Sequence, residues 1–345
     1  MGRQPVAMKE VAEAAGVSVT TVSDALNGKG RLPQTTRDHV RTIANRLGYQ
    51  PSIVARSLAS GKTRNLALTV STADASTFAF GAVDYFVQLM SSATIKALEH
   101  GYSLILSHSD ADRDASPLPL DGAIVVDPVL DDPALAEFRR QKIPVVTAGR
   151  DPASENASFS VDNDHAAGTE RMLDHLARAG AQRIALVSGP PVHSYIVDAL
   201  QAYEGWCVRR KVAPTVSFAG YSLTEAAGYA AASDLLSGPD RPDAIYATLD
   251  RLALGVSMAA KTQGLAVPDD LLIAGLSDSR AGRQASPSLT ALALDPSEIG
   301  KRAVEMLAAL VENRPVAEPH VTVATKVIPR ASTRRRLGSR GKRLH

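Results

Sequence analysis

The sequence has little cysteine, little net charge and no long apolar run. A single cysteine, Cys207, among 345 residues excludes a disulfide framework and a cysteine-based metal cluster, and we expect it to be a buried apolar side chain. No segment approaches the about 18 apolar residues that a membrane span needs. The first residues lack the apolar stretch of a secretory signal. We therefore expect a cytoplasmic protein without a membrane partner, a metal or another cofactor.

The small net charge of +2 conceals a strong segregation of charge along the chain. Residues 1–64 carry ten basic and four acidic side chains, and residues 333–345 carry six basic and no acidic ones. Each of these segments has a charge of +6, which leaves −10 for residues 65–332. This distribution predicts a polyanion-binding end on an acidic body. The basic tail is low in apolar residues and is predicted to be disordered, either solvated or adding phosphate contacts.

Three short helices are predicted near the start of the chain. Residues 8–15 and 19–27 have the apolar spacing of helices, and Gly16 separates them, with Ser18 as a typical N-cap. A third helix is predicted at about residues 35–47. Two short helices joined by a glycine turn and braced by a third form a helix-turn-helix motif. The basic surplus favours DNA binding over a purely structural three-helix module.

From Leu66 onward, short apolar strands alternate with helices. The predicted strands are residues 66–71, 103–109, 122–127, 144–150, 183–189, 216–220, 244–250, 271–278 and 321–329. This βαβ pattern predicts parallel sheets covered by helices on both faces. Because the pattern occurs twice, we expect two lobes with a cleft between them. Ligands of such sheets bind at the carboxyl ends of the strands.

Motifs of common enzyme classes are missing from the sequence. It contains no GxxxxGKS phosphate loop, no HExxH and no GxSxG nucleophile elbow, and the eight histidines show no ligand spacing. We therefore expect a protein that is not an enzyme and has no catalytic residues.

The segments MKEVAEAAGVSVTTVSDALNG and TRDHVRTIANRLGYQPSIVARSLASGKT resemble the LacI/GalR family of transcriptional regulators. The resemblance implies an α/β protein with an N-terminal all-α helix-turn-helix and a periplasmic-binding-protein-like, two-lobed body. It divides the chain into a DNA-binding domain (1–50), a hinge helix and linker (51–64), an effector-binding and dimerisation domain (65–332) and the basic tail (333–345). Lobe 1 is expected at about 65–160 and 292–323, and lobe 2 at about 161–291 and 324–332.

The resemblance also implies DNA contacts on the second helix and in the hinge. These residues are Ser18, Val19, Thr20, Thr21, Ser23, Asp24, Asn27, Val54, Ala55 and Leu58. Val19, Thr20 and Asp24 are expected at base edges, and Leu58 is expected to wedge into a base step of the minor groove. Relatives often carry arginine at the position of Asp24. A carboxylate accepts a hydrogen bond from cytosine N4 and cannot pair with guanine O6 and N7.

Candidate effector contacts follow the strand ends and the positions that match the family. They are Asp74, Phe78, Ser107, Asp127, Arg150, Tyr195, Asp198, Tyr221, Asp250 and Asp278. Arg150 either grips an effector or forms an ion pair between the lobes. Tyr221 either stacks on an effector or is a surface tyrosine. Asp250 either touches the effector or caps the following helix.

Three polar positions of sugar-binding relatives are apolar or small in this chain. Ala199 stands near the position of an arginine, Leu249 replaces an asparagine, and Ser277 replaces an aspartate. A site that hydrogen-bonds sugar hydroxyls loses affinity without these groups. The chemical class of the effector is therefore undecided. It is a sugar, a less polar molecule or a carboxylate bound by Arg150, or the protein has no small-molecule effector. Asp198 and His193 are candidates for replacement polarity.

Taken together, these observations predict a homodimeric, sequence-specific DNA-binding regulator, most simply a repressor. Its partners are expected to be a pseudo-palindromic double-stranded operator and a small-molecule effector of unknown identity. The alternative is an intracellular solute-binding sensor that does not bind DNA directly.

Overall fold

The computed structural model describes residues 6–28, 30–49, 62–71, 84–107, 119–153 and 159–335 of the chain. The fold divides into two compact units, the first ending at Arg64 and the second beginning at Asn65. In the described part of the chain, no helix is both long and apolar enough to cross a membrane.

Three helices form the described part of the first unit. They are α1 (Met8–Ala15), α2 (Val19–Asn27) and α3 (Gln34–Leu47), which confirms the predicted helices. Gly16 ends α1 in the left-handed region, with a φ of 67°. The hydroxyl of Ser18 then caps α2 by accepting a hydrogen bond of 3.1 Å from the backbone N–H of Thr21. The tight turn and the cap together fix the direction in which α2 leaves α1.

A small apolar core holds the three helices together. Its buried members are Val11, Ala12, Ala15, Val22, Ala25, Val40, Ile43 and Ala44. Arg37 of α3 also donates hydrogen bonds to the backbone carbonyls of Asp24 (3.1 Å) and Gly30 (2.7 Å). The end of α2 is therefore attached to α3 by polar contacts as well as by the core.

Two six-stranded sheets form the second unit. The first sheet has the order β11-β5-β4-β3-β1-β2 and the second has the order β12-β10-β9-β8-β6-β7. All neighbouring strands are parallel except β10 and β12. The strands are β1 (Asn65–Val70), β2 (Ser103–Ser107), β3 (Gly122–Val126), β4 (Val145–Ala148), β5 (Phe159–Asn163), β6 (Ile184–Ser188), β7 (Val216–Phe218), β8 (Ala244–Ala247), β9 (Leu272–Leu276), β10 (Thr290–Ala293), β11 (His320–Val323) and β12 (Lys326–Ile328).

Helices cover these sheets and bury their apolar strands. The helices are α4 (Asp84–Glu99), α5 (Pro133–Arg140), α6 (His165–Arg178), α7 (Ser194–Arg210), α8 (Glu225–Ser237), α9 (Asp250–Thr262), α10 (Arg280–Gln284) and α11 (Pro296–Val311). In lobe 1, α4 and α11 pack on the first sheet. In lobe 2, α6 and α7 cover one face of the second sheet while α8 and α9 cover the other. Cys207 is a buried residue of α7, as predicted.

The chain passes between the two lobes three times. It crosses after β5, after β10 and between β11 and β12. Because β5 continues to Asn163 and β10 to Ala293, the first two crossings lie a few residues later than the expected lobe boundaries. The single last strand predicted at 321–329 is wrong, since it is divided into β11 and β12, which belong to different sheets.

The start of the predicted disordered tail is ordered. Thr333 is buried, and its hydroxyl forms hydrogen bonds with His175 Nε2 (2.8 Å) and with the hydroxyl of Thr290 (2.7 Å). Arg335 donates to the carbonyl of Gly180 at 3.1 Å. The ordered part of the second unit therefore extends to residue 335, because these polar groups are hydrogen-bonded to lobe 2. The remainder of the tail lies outside the described residues.

A close contact between α8 and α9 gives a first test of the packing. A Cβ atom at Gly255 would lie 2.1 Å from the carbonyl oxygen of Glu225 and 2.5 Å from the nitrogen of Tyr229. We expect Gly255→Ala to force the helices apart and to lower the free energy of unfolding by about 1–3 kcal/mol, measured by denaturant titration. Gly205→Ala in α7 is the matched control, since its Cβ would approach only Arg209 Nη1 at 3.4 Å. That control should raise stability by about 0.5–1 kcal/mol through helix propensity. Equal losses in both variants would contradict the close packing.

Candidate functional site

The outward face of α2 carries most of the predicted DNA contacts. The side chain of Val19 is 45% exposed, and Thr20 is exposed beside it. Thr21, Ser23 and Asp24 are half-buried. This face thus offers an apolar group and a small hydroxyl at the beginning of the helix, which suits contacts with a thymine methyl group and with base edges.

Two of the predicted contacts have structural roles in addition. Ser18 caps α2, and its hydroxyl lies 2.8 Å from the hydroxyl of Thr21. A carboxylate oxygen of Asp24 lies 2.8 Å from the place that a Cβ atom at Gly30 would occupy, so the side chain turns back toward the loop after α2. The side chain of Asn27 and the hinge residues Val54, Ala55 and Leu58 lie outside the described residues.

A cavity of about 160 Å³ lies in the cleft of the second unit. Lobe 1 contributes Asp127, which follows β3, and two rings of α4, Tyr85 and Phe86. Lobe 2 contributes residues that follow β6, β7, β8 and β9. They include His193, Tyr195, Tyr221, Leu223, Leu249, Asp250, Leu276 and Ser277. The cavity therefore lies at the carboxyl ends of the strands, as the sheet topology predicts.

Four of the ten predicted effector residues line this cavity. They are Asp127, Tyr195, Tyr221 and Asp250. Asp250 is the first residue of α9, and the N-cap position is occupied by Leu249. The side chain of Asp250 is therefore not the N-cap of this helix. The backbone of Asp127 has a positive φ of 47°, so this residue makes a sharp turn out of β3.

Four further predicted effector residues are described and do not line the cavity, namely Ser107, Arg150, Asp198 and Asp278. Ser107 bonds to the hydroxyl of Thr69 at 2.5 Å. Asp278 forms an ion pair with Arg330 at 2.8 Å, because the chain segment after β12 passes beneath it. Arg150 and Asp198 bind each other. Asp74 and Phe78 lie outside the described residues.

Arg150 connects the two lobes. Its guanidinium is hydrogen-bonded to Asp198 of α7 in lobe 2, and its Nε lies 3.4 Å from a carboxylate oxygen of Asp162 in β5 of lobe 1. The sequence allowed two roles for Arg150, an effector contact or an ion pair that joins the lobes. The structure shows the ion pair. We name these three side chains the latch.

Further contacts join the lobes beside the latch. His193 Nδ1 lies 2.9 Å from the backbone carbonyl oxygen of Asp127. The backbone N–H of Leu130 donates to the carbonyl of Val192 at 2.9 Å. At another position, the carboxylate of Asp84 accepts a hydrogen bond from the backbone N–H of Arg280. The observed conformation therefore has the lobes closed on each other at several points.

Burial shifts the pKa of several groups around the cavity. Burial, together with the nearby Asp162, raises the pKa of the Asp127 carboxyl to about 7. Burial also raises the pKa of Asp162 to about 6, although its backbone hydrogen bond and Arg150 oppose the shift. The pKa of His165 falls to about 4 because burial disfavours its cationic form. At neutral pH this wall of the cleft consequently holds a neutral histidine and an aspartate close to its point of titration.

Sequence reasoning missed the aromatic wall of lobe 1. Tyr85 and Phe86 reach the cavity from α4, and their rings meet edge to face at 5.5 Å. His165 also lines the cavity, next to Tyr195 at a ring distance of 5.8 Å. A strand-end rule does not find these residues, because they stand on helices. The sequence offers one signal for Tyr85 and Phe86, which is that they form an aromatic pair near a helix start in a chain with 4% aromatic residues.

A substitution in the latch tests its contribution to stability. Arg150→Ala leaves the buried Asp162 without its counter-charge, so we expect the free energy of unfolding of the body to fall by about 1–3 kcal/mol at pH 8. Arg140→Ala is the control, since the pair of Arg140 with Glu137 is largely exposed and should contribute little to stability. Chemical denaturation measures both variants. Equal changes would show that the latch is only another surface ion pair.

Comparisons with known proteins agree with this geometry. Residues 7–52 match the model described as "Bacterial regulatory proteins, lacI family", and residues 173–333 match a "Periplasmic binding protein-like domain". Catabolite control protein A of Priestia megaterium is 28% identical over 95% of this chain and 99% of that protein. The HTH-type transcriptional repressor PurR of Escherichia coli is 26% identical over 94% of this chain and 96% of its own length.

Solved structures share the same fold. The lac repressor dimer bound to operator and the anti-inducer ONPF superposes with a TM-score of 0.79 at 23% identity, covering 96% of this chain and 99% of that one. The transcriptional regulator CelR in complex with cellobiose gives a TM-score of 0.70, also at 23% identity, over 95% of this chain and 99% of that one. The helical first unit and the two-lobed second unit thus occur together in known regulators.

Proposed function

Because the chain belongs to the lacI family of bacterial regulatory proteins, we propose that it is a homodimeric repressor without enzymatic activity. In this proposal it binds a pseudo-palindromic operator, and an effector in the cleft changes its affinity for DNA. The observation that carries the proposal is the capped α2 helix, whose exposed face is held by the three-helix core and matches the family model over residues 7–52.

The chemistry of the first unit supports DNA binding. A helix in the major groove reads base edges with the side chains of its first turns. Val19 and Thr20 stand exposed at that end of α2, and residues 1–64 carry a charge of +6 for contacts with phosphates. This charge and the family match favour the regulator over a solute-binding sensor without DNA.

The second unit supports dimerisation and effector binding. Exposed apolar side chains stand on α4, where Ile95 is 61% and Leu98 is 64% exposed, and Met258 of α9 is 54% exposed. Such groups suit the apolar part of an interface between two copies. The effector shifts the population of closed lobes, because it contacts both lobes and has a different affinity for their open arrangement. The lac repressor dimer with its operator and CelR with cellobiose are solved precedents for these two partners.

A selection experiment tests the proposal. The full-length protein is incubated with a pool of random duplexes, and the bound fraction is sequenced after several rounds. We expect an inverted repeat whose half-sites are related by the two-fold axis of the dimer. Enrichment of no sequence, or of a single half-site without a partner, would contradict the proposed repressor.

A further inference from the structure

The size of the cleft cavity limits its occupant. A buried apolar cavity of about 150 Å³ holds one benzene molecule, and the cavity between the lobes measures about 160 Å³. In the closed conformation the described walls therefore leave space for a single ring with a short substituent.

The charges of the cavity wall disfavour an anion. Among the described lining residues the cationic side chain is Arg251, and it forms two hydrogen bonds with the carboxylate of Glu225, of 2.9 and 2.7 Å. Arg150 is likewise bound by Asp162 and Asp198 in the latch. An anionic effector would have to break one of these pairs and leave a carboxylate without its counter-charge.

Asp127 supplies a negative group that suits a cation. Asp127 lines the cavity, and the titratable groups near its carboxyl come from several elements. These groups are Tyr85 of α4, Asp162 of β5, and Tyr195 at the start of α7. His193 bonds to its backbone carbonyl rather than to its carboxyl. Neither Asp162 nor the tyrosines provide a positive charge, and Arg150 is held by the latch. Burial and then the nearby Asp162 raise the pKa of Asp127 to about 7, and a cation bound beside the carboxyl lowers that pKa again.

Aromatic rings line the cavity from both lobes, beside leucine, serine and threonine side chains. Tyr85 and Phe86 come from lobe 1, and Tyr195 and Tyr221 come from lobe 2. The rings of His193 and Tyr195 are stacked at 5.4 Å, which holds the Tyr195 ring in place. Faces of aromatic rings attract organic cations. The described lining contains no asparagine or glutamine, the amide groups that bind ring hydroxyls in both directions.

We propose that the effector of this chain is a small organic cation, an ammonium group attached to a single ring, with the ring between the aromatic walls and the ammonium group at Asp127. The inference rests on the proposed function in one respect, that the cleft is the effector site. It assigns to that site a chemical class different from sugars and carboxylates.

A matched set of three probes tests the class of effector. Benzylammonium, benzyl alcohol and benzoate have nearly the same size and differ in charge. Each is titrated calorimetrically into full-length protein without DNA at pH 8, where Asp127 is ionised. We expect benzylammonium to bind about tenfold or more tightly than benzyl alcohol, and benzoate to give no detectable heat of binding. Lowering the pH from 8 to 6 should weaken the binding of benzylammonium, because Asp127 takes up a proton.

Two variants locate the binding. Asp127→Asn should remove the preference for benzylammonium, whereas Glu204→Gln, at an exposed position of α7, should leave it unchanged. Tighter binding of benzoate or benzyl alcohol, no binding of any probe, or an unchanged preference in Asp127→Asn would overturn the inference. Operator binding, measured on the same preparation, reports separately on the proposed function, so that either one can fail without the other.

Discussion

Replacing Val22 by aspartate is expected to weaken operator binding by about 100-fold or more, since the carboxylate would have to be buried without a partner. Val22 is fully buried in the core of the three helices. Among the described residues, that core has eight buried members, four of them alanines. Burial of an unpaired ion costs several kcal/mol, which exceeds what so small a core provides. The first unit should unfold, and α2 should lose its fixed position.

The same variant should leave the second unit intact, because that unit is compact by itself and has its own sheets and apolar cores. We expect a heat-capacity scan of Val22→Asp to retain the unfolding transition of the body. Val208→Asp is the matched control, as Val208 is 76% exposed on α7 and its replacement should alter neither stability nor DNA binding. Operator affinity of Val22→Asp within a few-fold of the unchanged protein would contradict the role of this core.

Asparagine at position 127 should change the dependence of stability on pH. In the folded protein the pKa of Asp127 is about 7, whereas an unfolded aspartate has a pKa of about 3.9. Between these values the folded state binds the proton and the unfolded state does not. The contribution of Asp127 to the free energy of unfolding is therefore present in full below about pH 4 and is lost as the pH rises through about 7.

The buried histidine His165 changes the dependence of the free energy of unfolding on pH in the opposite direction. The pKa of His165 is lowered to about 4, so the folded state binds fewer protons than the unfolded state between about pH 4 and 6.5. The pH profile of the unchanged protein is a sum of both effects, and the difference between it and Asp127→Asn isolates the carboxyl group. Since asparagine cannot ionise, we expect the variant to gain stability relative to the unchanged protein as the pH rises from 4 to 8.

Denaturant titrations at several pH values measure this difference. A gain of more than about 1 kcal/mol at pH 8 relative to pH 4 supports the buried position of Asp127, since one pKa unit corresponds to about 1.4 kcal/mol. Asp121→Asn is a control at the other end of β3. A difference that does not depend on pH would show that Asp127 has an ordinary pKa.

Local signals made the first unit predictable from sequence. Gly16 and Ser18 mark the turn and the cap of α2, and each acts through its own backbone or through a residue three positions away. The helix bounds consequently agree closely with those expected. Short apolar runs that alternate with helical segments also identified most strands of the body. Strands β5, β10 and β12 were missed or merged, because they are short and become strands only when a neighbour in the sheet pairs with them.

The candidate site was only partly predictable. Asp127 and Asp250 follow strands, so the topology of a parallel sheet brings them to the cleft. Tyr85 and Phe86 reach the same place from α4, and the sequence does not show which face of that helix meets the cavity. For a similar reason, the sequence did not decide whether Arg150 forms an ion pair. Arg150 and Asp198 are far apart in the chain and meet only when the lobes close.

The affinity of the full-length protein for its selected operator, measured as a function of salt concentration against a scrambled duplex of the same length, tests the account most directly. We predict that the operator binds more tightly than the scrambled duplex by about 1000-fold or more, and that the affinity for both falls steeply with salt because lysine and arginine release counterions from the phosphates. Equal affinity for the two duplexes, or an affinity that does not change with salt, would contradict the account.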